Sequence, residues 1–467
     1  MKILLINPTL PNPVIGLDRF IKAPPLGIMS IAATVPDHEV EILDLKYRKL
    51  LTRSIRKKIS RADIVGISCL TPSYSAMLKL CKIAKEEGVP TIVGGYQPTL
   101  VPGIIERPEI DYIVREEGEL TFPALIEAIN NGYKIGDVLG VSYSKNGSVY
   151  HNPPRPLIDD LDKLPMPRRD LVRRNFYSYF GMSVDVLESS RGCAHDCHFC
   201  CVIQFHQHKF RTKSPERVIQ ELQQLNQRRY WHVFQDSSFT LNMKRVGKIC
   251  DLILENGMEN KYYSAQGRVD SVVKNTKIVD RMQEAGFKML FIGIESIFQK
   301  SLDIIGKKIT IEQIKEAVKM LHDRGITIFG SIIIGNVGET KEEVKKTIHF
   351  AKDLDIDIMQ FTPLTPFPKT KLYKEALEKG WIKIDDYDKW NLVNPIMATP
   401  DLTVDEILDL VTEAYRSFYL EGVRTNFLMR GGKRISQKQF LWFWRMVPEF
   451  LTISVPAIYK LVKDLSK

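Results

Sequence analysis

Residues 190–200 read Ser-Arg-Gly-Cys-Ala-His-Asp-Cys-His-Phe-Cys, which sets three thiols, Cys193, Cys197 and Cys200, within a single short segment. The segment follows Ser-Val-Asp-Val-Leu-Glu at 183–188, whose alternation of apolar and polar residues predicts a β-strand. The thiols therefore fall on a loop at the carboxyl end of a strand, and a loop of this length can wrap one compact centre. Three soft thiolates suit an iron–sulfur cluster or a zinc ion. Zinc needs a fourth ligand, for which His195, His198, His206, His208 and Cys201 are available. A cluster held by three cysteines instead leaves one iron open, which is a catalytic arrangement. Cys201, next to Cys200, reads as a bystander.

Outward from this loop the pattern is an alternation of strands and helices. Strands are predicted at 231–235, 262–266, 289–294, 327–334 and 357–362, with helical periodicity between them, as at 214–227 and 311–324. Together with 183–188 they make six strands, enough for a partial (β/α) barrel whose site lies at the strand carboxyl ends. Residues 1–145 form a separate series, with strands at 2–7, 39–45, 62–69, 91–94 and 111–114 and helices at 73–87 and 121–130. That alternation predicts a doubly wound parallel sheet, which binds ligands just after its strands, here 68–75 and 94–99. The expected fold class is thus α/β: a doubly wound domain over 1–145, a Pro-, Asp- and Arg-rich linker over 146–180, a (β/α)6 partial barrel over 181–402, and a helical region over 403–467. Thr403 and Glu406 form a capping box for one helix of that last region. The tail at 437–463 is apolar and aromatic, broken by Pro448 and Pro456.

Composition narrows the class. With 467 residues, 44% of them apolar and 26% charged, the chain is globular and long enough for two or three cores. Four of its seven cysteines crowd into 193–201, which is no disulfide framework, and the first residues are too short an apolar run for a signal peptide. A reducing, cytoplasmic location is expected. No run of about 18 apolar residues predicts a spanning helix. The net charge of +10 is compatible with nucleic acid, an anionic membrane or an acidic substrate and selects none.

The segment 190–200, with the aromatic Phe199 before its third cysteine, resembles the signature of the radical S-adenosylmethionine superfamily. The resemblance implies a 4Fe-4S cluster on Cys193, Cys197 and Cys200 whose open iron binds the amino and carboxylate groups of S-adenosylmethionine. It implies reduction by a ferredoxin- or flavodoxin-type donor, and cleavage of the bound molecule to methionine and a 5′-deoxyadenosyl radical. The turn 234–240, with Gln235, resembles the family's polar turn facing the cofactor. Glu295 and Ser296, in Gly293-Ile-Glu-Ser296, are similar to residues that hydrogen-bond the ribose or methionine part. In Gly335-Asn-Val-Gly-Glu-Thr340, Glu339 and Thr340 serve equally well as a helix cap. Arg268 suits a carboxylate or a surface ion pair.

A doubly wound domain ahead of such a barrel resembles the cobalamin-binding branch of the superfamily, which includes methyltransferases and the anaerobic magnesium-protoporphyrin monomethyl ester cyclase. The likeness covers Pro24-Pro-Leu-Gly-Ile28, Val93-Gly-Gly-Tyr-Gln-Pro-Thr99, Arg115-Glu-Glu-Gly-Glu119, Leu164-Pro-Met-Pro-Arg168 and Thr365-Pro-Phe-Pro-Lys-Thr370. Gln97 stands where relatives often have His, and Lys369 where they often have Gly. An Asp-x-His-x-x-Gly motif is missing, so the resemblance implies cobalamin held without a protein histidine on cobalt, its nucleotide tail beside Ser68, Thr71, Gly94, Gly95 and Gln97. A domain that keeps the fold without the corrinoid is the alternative.

Three functions remain open on these grounds: a cobalamin-dependent methyltransferase acting on an unactivated carbon of a small molecule or lipid, a radical cyclase or C–C bond-forming enzyme, and a non-catalytic iron–sulfur or zinc protein. Phe440, Trp442, Phe443 and Trp444, beside Lys438, Arg445 and Lys460, suit peripheral contact with a bilayer or ordinary packing. No stripe of aromatic and basic residues points to nucleic acid. Tyr387, Asp388, Tyr415 and Tyr419 are candidate bases, none distinguished.

Overall fold

The computed structural model describes residues 1–10, 21–46, 50–172, 177–179, 182–225 and 231–421. Its first eight strands are β1 (Lys2–Asn7), β2 (Ile21–Lys22), β3 (Glu39–Asp44), β4 (Ile64–Ser68), β5 (Thr91–Gly94), β6 (Tyr112–Val114), β7 (Val141–Lys145) and β8 (Ser148–His151). All but β2 form one sheet in the order β3-β1-β4-β5-β6-β7-β8. β1 and β3 to β6 are parallel. The strands alternate strictly between two cores. Leu4, Ile6, Val65 and Val93 face Met77, Leu80 and Ala84 of one helix, Tyr74–Glu86. Ile3, Leu5, Ile64 and Ile92 face Ile28 and Ala32 of Leu26–Ala33 and Phe122, Leu125 and Ile126 of Gly118–Asn131. Both faces are covered, as a parallel sheet requires.

Pairing continues past residue 145. β7 turns back into β8 through Asn146 and Gly147, both at positive φ (53° and 76°). Asn-Gly at that twist is the favoured two-residue hairpin loop. The hairpin therefore straddles the point at which the sequence reading starts a linker.

The second sheet gathers β9 (Ser178–Tyr179), β10 (Met182–Leu187), β13 (Trp231–Phe234), β14 (Tyr262–Gly267), β15 (Phe287–Glu295), β16 (Thr327–Ile334) and β17 (Ile358–Pro363), while β11 (Ser190–Gly192) and β12 (Phe210–Thr212) pair separately. The order β17-β16-β15-β14-β13-β10-β9-β2 contains the six parallel strands of a half-barrel. β9 and β2 extend it antiparallel, so residues near the chain's start close one edge. Val184, Val186, Trp231, Val233, Met289 and Phe329 fill one face of the curled sheet. Its other face packs on helices through a single large core. Five of those helices start where the sequence offers a hydroxyl: Ser214, Thr310, Thr340, Thr370 and Thr403 each accept the backbone N–H three residues on. After Thr403 a helix runs Val404–Arg416 and ends in a π-turn at Ser417–Glu421. The aromatic tail lies outside the described residues. Among them no helix is long and apolar enough to cross a membrane.

Candidate functional site

The cysteine loop is held between β11 and β12, which pair antiparallel. Gly192, just before Cys193, has φ +82°, and a Cβ there would stand 2.0 Å from the Lys209 carbonyl oxygen, so only glycine fits. Farther on, His198 N–H donates to the Ile305 carbonyl at 2.9 Å, and Leu372 N–H donates to the His198 carbonyl at 3.0 Å. Asp196 pairs with Lys371. Beneath the loop, buried Asp236 accepts from Ser189 N–H at 2.7 Å and from the hydroxyls of Ser189 and Ser190 at 2.5 and 2.6 Å. Asp236 directly follows Gln235, whose own side chain is exposed while its N–H extends the β10–β13 ladder to Leu187.

Cys197 is buried and Cys193 and Cys200 are half-buried. Burial pushes the Cys200 thiol up to about 12, with the neighbouring Cys201, Cys197 and Cys193 adding to it, and raises Cys197 as well. Burial thus favours the protonated form of Cys197 and Cys200, and a positive metal centre is what turns such thiols into thiolate ligands. Three soft donors on one anchored loop fit a 4Fe-4S cluster. Among the described residues no three His, Cys, Asp or Glu side chains are grouped so as to hold a single metal ion. Phe199 packs against the barrel core.

Glu295 ends β15 in a bulge, at φ +65°. Its carboxylate is buried and accepts from Lys307 Nζ at 2.6 Å. The pair folds over Gly293, where a Cβ would meet Glu295 Oε1 at 2.1 Å. Ser296 is fully buried and donates to Glu339 Oε1 at 2.7 Å, and Glu339 also takes Asn336 Nδ2 at 3.2 Å. Glu339 therefore anchors Ser296, while Thr340 caps the next helix with Glu343. Arg268 is buried rather than superficial: it pairs with Asp270 at 2.9 Å and donates to the Lys307 carbonyl at 3.1 Å. Glu295, Lys307 and Arg268 thus form one polar floor, and the charges of Arg268 and Lys307 bear on Cys197.

A cleft of about 270 Å³ opens between the first domain and this loop. Its deep end is an apolar slot between the sheet and two helices, lined by Leu5, Ile28, Ile31, Ile92 and Phe122. Gly66 and Gly118 keep it open, since a Cβ at Gly66 would stand 2.6 Å from Leu5 Cδ2 and one at Gly118 2.7 Å from Ile31 Cδ1. Ser68, Gly94 and Gly95 line the mouth; Thr71 and Gln97 do not line the cleft. Gln97 is fully buried with no well-formed hydrogen bond, its amide against Tyr387. Lys369 has φ +65°, the conformation a glycine takes easily, and its Nζ donates to the Thr99 carbonyl at 3.2 Å. An apolar slot kept open at two glycines and ending in a polar mouth fits the tail and rim of a corrinoid.

The mouth is closed by residues to which the sequence assigned no part in the cleft. Arg191, two positions before Cys193, donates to Glu117 at 3.0 Å, Glu119 at 2.5 Å and Glu188 at 2.7 Å. Arg211 donates twice to Glu117, at 2.8 and 2.9 Å. Burial alone raises the Glu117 pKa, but Arg211 and Arg191 outweigh it and hold the carboxyl below its usual range. Arg211 also donates to His206 Nδ1 at 3.2 Å, so the His206 proton sits on Nε2. Burial lowers His206 to about 4. Phe205 stacks on Tyr96 at 4.4 Å, joining the loop's helix to the Gly94-Gly95 turn. The signal available in the sequence was Arg115-Glu-Glu-Gly-Glu119 itself, charge at a strand end where a crossover sheet buries its ligand. The candidate bases have other work: Tyr415 accepts Phe361 N–H, Tyr419 bonds both backbone groups of Met359, and Asp388 accepts Ser75 N–H.

Comparison with known proteins assigns both domains to families. Residues 187–351 match the Radical SAM superfamily and residues 14–126 the B12 binding domain. A protein of Pyrococcus horikoshii named as an uncharacterized methyltransferase is 38% identical over 435 residues, spanning 90% of this chain and 93% of its own. The anaerobic magnesium-protoporphyrin IX monomethyl ester cyclase of Rubrivivax gelatinosus is 30% identical, spanning 82% and 70%. In fold, the chain is similar to the radical S-adenosylmethionine methyltransferase TsrM of Kitasatospora setae, solved with cobalamin and a [4Fe-4S] cluster, with a TM-score of 0.68, 19% identity and coverage of 81% and 75%.

Proposed function

Because the chain belongs to the radical S-adenosylmethionine enzymes that carry a B12-binding domain, we propose that it transfers a methyl group to an unactivated carbon, with Cys193, Cys197 and Cys200 as cluster ligands. The observation that carries this reading is Arg191: it lines the corrinoid cleft and leads directly into the cysteine loop. Methyl transfer needs two cofactors facing one substrate carbon, and a residue shared by the cleft and the cysteine loop supports that arrangement. When bound, the cluster with S-adenosylmethionine supplies a hydrogen-abstracting radical and cobalamin a transferable methyl group. The chain's own part is position and exclusion of water. Gly192 and Asp236 fix the loop, and Glu295 and Ser296 present polar groups where the ribose or methionine part would lie. Arg268, held by Asp270, keeps a positive charge near the same floor. Gly66, Ser68, Gly94 and Gly95 make room for the corrinoid.

The substrate is a small molecule, and an electron donor is required. A lipid substrate, a ferredoxin- or flavodoxin-type donor and a cytoplasmic enzyme touching the membrane by its tail extend this reading. The thiol-rich loop supports a reducing compartment. The test is incubation of the anaerobically reconstituted enzyme with S-adenosylmethionine bearing a trideuterated methyl group and an extract of small molecules and lipids. A product heavier by the labelled methyl supports methyl transfer. Formation of 5′-deoxyadenosine with no labelled product would point instead to the cyclase-like chemistry of the relative in Rubrivivax.

A further inference from the structure

The cysteine loop has a second flank, which shares no lining residue with the cleft of the first domain. There an open groove of about 550 Å³ runs beside the carboxyl ends of β13 and β14. His195, from between Cys193 and Cys197, forms one wall, and Lys244 and Lys274 stand on the others. No residue of the first domain lines it, so it stays open whatever fills the cleft. Lys308 lies close enough for its charge to act on His195. All three lysines are exposed, and none has an ion-pair partner among the described residues. The groove's one acidic side chain, Asp270, is committed to Arg268. The result is a concave surface of uncompensated positive charge whose wall is the cluster loop itself.

We propose that this groove docks the electron donor, a small acidic one-electron carrier protein, and that electrons reach the cluster across the His195 side of the loop. The inference rests on the proposed function only in needing a redox cluster on this loop. One electron leaves the reduced carrier and takes the cluster from the 2+ to the 1+ level, with no bond made or broken. Opposite charge at such a surface acts mainly on the encounter rate, which it raises steeply at low ionic strength. The siting favours a donor over a nucleic acid or lipid surface, because whatever docks here touches the cysteine loop and not the substrate side.

The test uses the reconstituted full chain and Lys244→Glu/Lys274→Glu. Reduction is followed by bleaching of the cluster's visible absorbance in a stopped-flow mixer, once with reduced flavodoxin and once with dithionite. Binding of flavodoxin is followed by calorimetry. The variant should be reduced by flavodoxin about tenfold or more slowly at low salt and bind it correspondingly less tightly, with its dithionite rate unchanged and the difference shrinking as salt is raised. Equal flavodoxin rates and affinities in the two proteins would overturn the proposal. So would a variant that keeps its flavodoxin rate but loses binding to anionic vesicles. Neither readout involves methyl transfer, so the absence of a methylated product leaves this outcome readable.

Discussion

Replacing Glu117 by Gln keeps the shape of the domain junction and removes one charge from its centre. Glu117 is buried, 7% exposed, and carries three hydrogen bonds from two arginines, with a fourth from Ile158 N–H at 2.8 Å. Arg191 keeps Glu119 and Glu188 after the change, so the loss falls on Arg211, left with the Ile158 carbonyl and His206. Stripping a buried ion of its partner typically costs about 3–5 kcal/mol. Urea titration of the anaerobic protein should show a loss of that size. Adding Arg211→Met, which removes the orphaned charge, should recover part of it. The pH dependence has a definite sign. The folded Glu117 pKa lies below the ordinary glutamate value, so its contribution is complete above that value and disappears as acid takes the pH through the lowered one. Glu117→Gln should therefore flatten the acid limb of stability. A cost under about 1 kcal/mol, or strictly additive single and double variants, would refute the idea that this carboxylate clamps the two domains together.

Gly192→Ala should displace the cysteine loop, because its Cβ would overlap the Lys209 carbonyl; iron bound after reconstitution should fall well below that of the parent, as read by iron analysis. Gly66→Ala pushes Leu5 into the apolar slot, at a cost of about 1–3 kcal/mol for overpacking, so corrinoid content should drop while iron content stays the same. Unfolded His206 takes a proton near pH 6.5 and the folded protein only near 4, so acid favours the unfolded chain across that interval by about 3 kcal/mol. His206→Gln, which still accepts from Arg211 but does not ionise, should remove that limb from a pH series of urea midpoints.

Much of the fold was written in periodicity. β1, β5 and β16 match their expected bounds, and the other parallel strands shift by one or two residues, because buried parallel strands are continuous apolar runs. β7 and β8 were missed although Lys145-Asn-Gly-Ser148 carries the hairpin signal. Both strands are short, and β8 is exposed along its whole length, so it has no buried face to mark it. The place of the cysteine loop was legible, since it follows the predicted strand 183–188, which the structure has as β10. Arg191 and Glu117 were not, since they meet across 74 positions of chain and nothing in either neighbourhood names the partner. For Arg268 the sequence left a carboxylate partner and a surface ion pair equally open, because the Lys307 carbonyl that it meets lies 39 positions away.

The proposed function stands on Cys193, Cys197 and Cys200 holding an iron–sulfur cluster beside a corrinoid. Metal and corrinoid analysis of anaerobically reconstituted protein tests it most directly, comparing the parent with single Cys→Ala variants at those positions. About four irons and one corrinoid per parent chain are expected, with little zinc, and loss of iron but retention of corrinoid in each variant. Full iron content in any one of the three variants, or zinc in place of iron in the parent, would contradict it.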